Sequence, residues 1–218
     1  MAVPEKDAQI RYFEELLHKF GPTHRALDWN SAESQDHRFT AMLQSRFYGE
    51  PVKKPSVLDV GCGVGDLFGF LLKHPETFPD GFTYTGCDIS PALVTAAREK
   101  YPEGSFEVQD ILERPPQKKF DYVFACGVMT IRTAPSQQVH DQYVEALLKQ
   151  MFQLSVRAVA VDFLSEWFLK SLPDTSWHKE RYTYFEPSTI LQMVNSLTRR
   201  VVLRHDYDPA EFCIYLLR

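Results

Sequence analysis

The chain has 218 residues, 44% of them hydrophobic and 24% charged, a size at which one folded unit buries about 70% of the surface its unfolded form exposes. Its 24 Lys and Arg against 29 Asp and Glu give a net charge of −5, so no global basic field gathers a polyanion and nucleic acid is not an expected partner. Apolar runs fall far short of the ~20 residues that span a bilayer, and the start Met-Ala-Val-Pro-Glu-Lys-Asp lacks a basic region followed by an apolar stretch, so a cytoplasmic protein without a membrane span is expected.

From Pro4 to Phe20, Ile10, Phe13, Leu16, Leu17 and Phe20 recur at helical spacing between Glu and Lys, and Gly21-Pro22 ends this amphipathic helix. A second helix is expected to begin near Ser31 to Ser34 and to run through Phe39, Met42, Leu43 and Phe47. Val57 to Val60 then has the apolar, β-branched character of a buried strand, and Leu67 to Leu72 that of a helix. Phe82 to Asp88 reads as a second strand, and Ser90-Pro91 caps a helix through Ala92, Leu93, Ala96 and Tyr101. Phe106 to Asp110 and Phe120 to Cys126 are the third and fourth strands. A helix over Gln137 to Leu154 carries Val139, Tyr143, Leu147, Leu148 and Met151 at the right period, and Ala158 to Leu164 is the fifth strand. An irregular aromatic stretch from Ser165 to Phe185 holds Trp167, Phe168, Trp177, Tyr182 and Tyr184. Pro187 to Leu197 is a further helix, Arg200 to Arg204 a sixth strand and Glu211 to Leu217 a seventh.

Strands alternating with helices build a mainly parallel sheet covered on both faces. The join from His205 to Ala210 is too short for a parallel crossover, so the last two strands form an antiparallel hairpin at one edge. The expected fold is therefore α/β: a three-layer, doubly wound, seven-stranded, mainly parallel sheet with one antiparallel edge-region strand. Residues 1–218 are expected to form a single domain, with 1–50 a helical cap and 51–218 the core.

The first strand opens into Asp59-Val-Gly61-Cys-Gly63-Val-Gly65-Asp66. Three glycines in five residues allow positive φ and a close ligand approach at the carboxyl end of that strand. A dinucleotide fingerprint would need glycine at position 66, where Asp stands, and no phosphate loop ending in Gly-Lys-Ser or Gly-Lys-Thr occurs. Two carboxylates flanking the turn repel a pyrophosphate and attract a ligand carrying an ammonium and a sulfonium, a description S-adenosylmethionine meets. Asp88, about twenty residues beyond the last glycine, has the interval and position of an acid that accepts both ribose hydroxyls; capping the following helix is the alternative. Cys62, Cys87, Cys126 and Cys213 stand apart with no C-x-x-C pair, which reads as free thiols and no metal site.

The run Asp59-Val-Gly61-Cys-Gly63-Val-Gly65, with three later stretches in matching order, resembles the motifs of class I S-adenosylmethionine-dependent methyltransferases, with a Rossmann-like core, from roughly Leu43 to the C-terminus. The resemblance implies that Gly61, Cys62, Gly63 and Gly65 cradle the methionine end of the cofactor and that Asp59 orients its ammonium. It also implies that Asp110 accepts from the adenine amino group, that Ile89 and Ile111 pack on the ring, and that Cys126 and Gly127 pass near the methyl group. In-line displacement from a sulfonium needs no covalent intermediate, so Cys126 is not expected to be a nucleophile. A small-molecule acceptor is expected, of unknown identity. For it the residues offer Trp29, Arg38, Arg132 and Tyr207 as substrate contacts, the arginines as forks for an anion, and His205 with Asp206 as an acid/base pair. Gln35 and Arg38, at i and i+3, share a helix face. The alternatives are a cofactor-binding regulatory or scaffold protein of the same fold and, against the Asp66 signal, a nicotinamide-dependent oxidoreductase.

Overall fold

A computed structural model describes residues 6–132, 134–175 and 180–218; Pro4 and Trp177 lie outside the described residues. The N-terminal helices are α1 (Lys6–Phe20) and α2 (Ala32–Leu43), the latter continued by a 3-10 turn at Gln44–Phe47. Ser31 caps α2, its Oγ accepting from the Ser34 N–H at 3.1 Å. That bond supplies one of the amide partners a helix start lacks. The core then runs β1 (Ser56–Val60), α3 (Asp66–Lys73), β2 (Thr83–Asp88), α4 (Pro91–Lys100), β3 (Phe106–Val108) and β4 (Phe120–Ala125). After these come α5 (Gln137–Leu154), β5 (Ser155–Ser165), α6 (Glu166–Ser171), β6 (Tyr184–Phe185), α7 (Pro187–Val194), β7 (Val201–Asp208) and β8 (Glu211–Leu217).

The sheet order is β3-β2-β1-β4-β5-β8-β7, with β6 paired to the end of β5. Strands β1 to β5 are mutually parallel, and β8 runs antiparallel to both β5 and β7. The reversed strand therefore sits one place in from the edge, and β7 is the edge strand. The strand count among the described residues is eight where seven were expected, because Tyr184 and Phe185 in the aromatic stretch pair with Leu164 and Ser165. Two residues are too few for periodicity to reveal, and the pairing partner lies on another strand.

Alternation along the strands divides the core into two layers. Val57, Tyr122 and Phe124 point into a cluster with Phe39, Met42, Leu67 and Phe70 of α2 and α3. Leu58, Val60, Val123 and Ala125 point into the other, with Leu147, Leu148 and Met151 of α5 and Ile190 of α7. Because β1 has β2 on one side and β4 on the other, strand order reverses at β1 and β4. Such a switch point leaves an open crevice beyond the carboxyl ends of the two strands.

Candidate functional site

The crevice is a cavity of about 400 Å³, within the range that encloses a small organic ligand. Its floor is the turn after β1. Gly61 and Cys62 both donate their N–H groups to the Cys87 carbonyl, at 2.8 and 3.1 Å, which ties the turn to the end of β2. Gly61 and Gly63 adopt φ of +71° and +54°, and a Cβ on either would lie 2.4 Å from Val128 or 2.6 Å from Leu27. The dihedral favours glycine at both positions, and the side-chain methyls of Val128 and Leu27 would have to move to admit a Cβ. Gly65 differs: it caps α3 and faces Tyr101 and Phe106, away from the cavity wall. Its role is to turn the chain into the helix.

The carboxylates sit where strand ends deliver them. Asp88 is buried, its Oδ2 accepting from the Gly63 N–H at 3.0 Å and its Oδ1 from the Ser90 N–H at 2.9 Å. Each oxygen has a second lone pair, so a carboxylate anchored this way retains two acceptor sites. Burial pushes its pKa up, against the pull of those amides. Asp59, also buried, accepts from the Tyr84 hydroxyl at 2.6 Å. Burial pushes its carboxyl up to about 7, with nearby Asp88 and Asp66 adding to the effect and the tyrosine bond opposing it. Asp110 accepts from the Leu112 N–H and from Lys6 Nζ, each at 2.9 Å, and Lys6 also pairs with Glu113 at 3.1 Å. Ile89, Ile111, Cys126 and Gly127 line the same cavity, and burial raises the Cys126 thiol well above its ordinary range.

The N-terminal helices close the cavity from above. Gln9, Ile10 and Phe13 of α1 and Trp29, Gln35 and Phe39 from α2 and the loop before it face inward, and Gln35 donates to Asp66 at 3.1 Å. Helix α1 has no fully buried residue; its apolar stripe covers the cavity instead of joining the core. Its Tyr12 donates to Asp28 at 2.8 Å, and Tyr182 donates to the same carboxylate at 3.0 Å. Arg181 forks onto Asp28 as well, so one acid joins α1, the following loop and the segment before β6.

The residues expected to meet an acceptor separate. Trp29 lines the cavity. Arg38 does not: it is buried behind Trp29, bonding Asp162 of β5 at 2.9 Å and Glu211 of β8, with its guanidinium 4.1 Å from the Trp29 ring centroid. A guanidinium flanked by two carboxylates has no attraction left for an anion. Asp162 in turn accepts the Gly127 N–H at 2.7 Å. Arg132 has an exposed side chain outside the cavity wall, its backbone N–H donating to Arg181 at 3.0 Å. Tyr207 is also outside the wall, its buried hydroxyl without a hydrogen-bond partner among the described residues and its pKa raised by burial.

His205 and Asp206 are not brought together. They lie inside β7, which extends to Asp208 and shifts its pairing register between Arg204 and Asp208, and their side chains take different partners. The His205 ring packs 5.1 Å from Trp167 with Nε2 3.2 Å from the Pro209 carbonyl, while Asp206 forks with Arg204 at 2.9 Å. Neither lines the cavity. Sequence reasoning did not assign Lys6, Tyr143 or Leu147 to the site, though all three line the cavity; the available signals were an amphipathic first helix for Lys6 and the apolar face of α5 for Tyr143 and Leu147. Among the described residues no group of three or more His, Cys, Asp or Glu is placed to hold a metal ion, and no helix is long and apolar enough to cross a membrane.

Residues 57–154 match the family model of a methyltransferase domain. A Mycobacterium tuberculosis protein whose name assigns it provisionally to the methyltransferases is 28% identical over 162 residues, covering 73% of this chain and 90% of that protein. Malonyl-[acyl-carrier protein] O-methyltransferase 1 of Ilyobacter polytropus is 38% identical over 99 residues, 44% of this chain and 35% of that protein. The chain thus spans about a third of that second relative. Among solved structures, magnesium protoporphyrin IX methyltransferase from Synechocystis, crystallised with S-adenosylhomocysteine, superposes with a TM-score of 0.66 at 17% identity, over 98% of this chain and 99% of that one. At that identity the likeness is one of fold.

Proposed function

We propose that this chain, whose residues 57–154 match the family model of a methyltransferase domain, is a class I S-adenosylmethionine-dependent methyltransferase that transfers the methyl group of S-adenosylmethionine to a small-molecule acceptor inside the cavity beyond β1 and β4. The observation that carries this reading is the anchoring of Asp88. Two backbone amides hold its carboxylate rigid at 3.0 and 2.9 Å, and the two acceptor sites left over match a vicinal pair of ribose hydroxyls. The rest of the cavity suits the same ligand: a glycine turn with no room for side chains, and acids in excess of bases around a molecule that is cationic at sulfur and nitrogen.

In this reading Asp110 accepts from the adenine amino group, and Ile89 and Ile111 enclose the ring. Gly61, Cys62 and Gly63 receive the methionine end, and Asp59 faces its ammonium. Cys126 and Gly127 flank the transferring methyl group, with Trp29 as the wall beyond. The sulfonium supplies an activated methyl group. What the chain supplies is orientation and exclusion of water by the α1 roof, an effect that reaches ~7–11 kcal/mol for well-aligned reactants. The test is calorimetry with S-adenosylhomocysteine. The protein is expected to bind it, and Asp88→Asn to weaken binding about ten- to a hundredfold, the loss of hydrogen bonds to a charged acceptor. Undiminished affinity in that variant overturns the assignment.

A further inference from the structure

Acidic side chains outnumber basic ones on the cavity wall. Asp59, Asp66, Asp88, Asp110 and Glu113 face it, against one basic side chain among the described residues, Lys6. Lys6 is already held by Asp110 and Glu113 at 2.9 and 3.1 Å. The guanidinium behind Trp29 is likewise engaged: Arg38 shares its charge between Asp162 and Glu211, both buried, so that triad is net negative. Lys100, for its part, is paired with Asp66 at 2.6 Å, so an anionic acceptor entering past Gly127 would lose its hydration and, apart from the cofactor's sulfonium, find no cationic side chain of the cavity wall among the described residues that is not already paired.

Trp29 is held in a defined place. Arg38 covers its ring at 4.1 Å, and a Cβ on Gly127 would come within 3.2 Å of it, so the indole rests against bare backbone beside the proposed methyl position. Asp162 connects the two supports, bonding Arg38 with one oxygen and the Gly127 N–H with the other, at 2.9 and 2.7 Å. With Arg38 on one face, the rest of the indole contributes an aromatic surface to the cavity wall, and such a surface favours planar and cationic partners.

We propose that the acceptor is a planar molecule, uncharged or cationic, laid against Trp29, and that Arg38 is a positioning residue that sets the indole in relation to Gly127. This rests on the methyl-transfer reading above and narrows it. The test uses the full chain saturated with S-adenosylhomocysteine, so that the cofactor region is filled without turnover. Two matched series are titrated by calorimetry and saturation-transfer NMR: tryptophol, tryptamine and indole-3-acetate, then 2-naphthylmethanol, 2-naphthylmethylamine and 2-naphthoate. The neutral and cationic members are expected to bind at least tenfold more tightly than the anion of the same ring. Trp29→Ala is expected to weaken them about tenfold while affinity for S-adenosylhomocysteine changes less than twofold. Arg38→Lys keeps the charge without the planar fork, and the same selective loss is expected of it. Equal loss of ring and S-adenosylhomocysteine binding in Arg38→Lys overturns the positioning role. Preference for the anions, or binding of no ring compound by a protein that still binds S-adenosylhomocysteine, overturns the acceptor class alone. Failure to bind S-adenosylhomocysteine overturns the methyl-transfer reading beneath it.

Discussion

Replacing Arg38 by methionine removes the cation that Asp162 and Glu211 share. Asp162 is wholly buried and the Glu211 side chain is 7% exposed, so neither carboxylate can recover its hydration in the folded protein. Asp162 keeps the Gly127 amide at 2.7 Å, which offsets part of the loss. Leaving a buried charge without its partner costs about 3–5 kcal/mol, against at most ~1 kcal/mol for an exposed pair. For a chain of this size that corresponds to a melting temperature lower by roughly 6–20 °C. Circular dichroism during thermal and urea unfolding measures the change. A second variant identifies the cause. Adding Asp162→Asn and Glu211→Gln to Arg38→Met removes the stranded charges while an amide oxygen remains for the Gly127 N–H. At least half of the lost stability is expected to return. A single variant that loses less than about 1 kcal/mol, or a triple variant no more stable than the single one, refutes the account of a buried, mutually dependent triad.

Two further outcomes follow from the floor of the cavity. Asp59 titrates near 7 in the fold against an ordinary 3.8, so between those values the folded protein holds more protons than the unfolded chain. Stability contributed by this group is therefore lost as pH rises from about 4 to about 7. Asp59→Asn is expected to flatten that part of the pH profile of urea midpoints, and an unchanged slope counts against it. By the same linkage, binding of S-adenosylhomocysteine below pH 7 is expected to release protons, detected by calorimetry in buffers of different ionisation enthalpy. Gly61→Ala combines a φ of +71° with a Cβ 2.4 Å from Val128. Its dihedral alone is expected to cost about 1–2 kcal/mol. Adding Val128→Ala relieves the contact but not the dihedral, so recovery in urea unfolding should be partial; full stability of Gly61→Ala shows that the turn tolerates a side chain.

The elements read from the residues were those whose signal is local. Helix α5 and strand β8 have the bounds expected of them, Gln137–Leu154 and Glu211–Leu217, because apolar periodicity and end signals lie within each segment. The short join before β8 likewise implied an antiparallel hairpin from loop length alone. The glycines after β1 were legible because their requirement is a property of one turn, and Asp88 because strand ends and their following loops define a crevice in any such sheet.

Residues whose role depends on distant partners were not legible. The helical spacing of Gln35 and Arg38 correctly put them on neighbouring parts of α2, yet one faces Asp66 and the other Asp162, which is 124 positions away in the chain. His205 beside Asp206 looks like a pair in one dimension, and in the fold one packs on Trp167 while the other forks with Arg204. Periodicity and turn chemistry act over a few residues, so the sequence by itself determined seven of the eight strands, most helices and the glycine turn. Which charges neutralise one another, and which aromatic side chains line the cavity, depended on strands and helices far apart in the chain arriving side by side. Only the tertiary structure settled that, because hydration and Coulomb energy are set by distance in space.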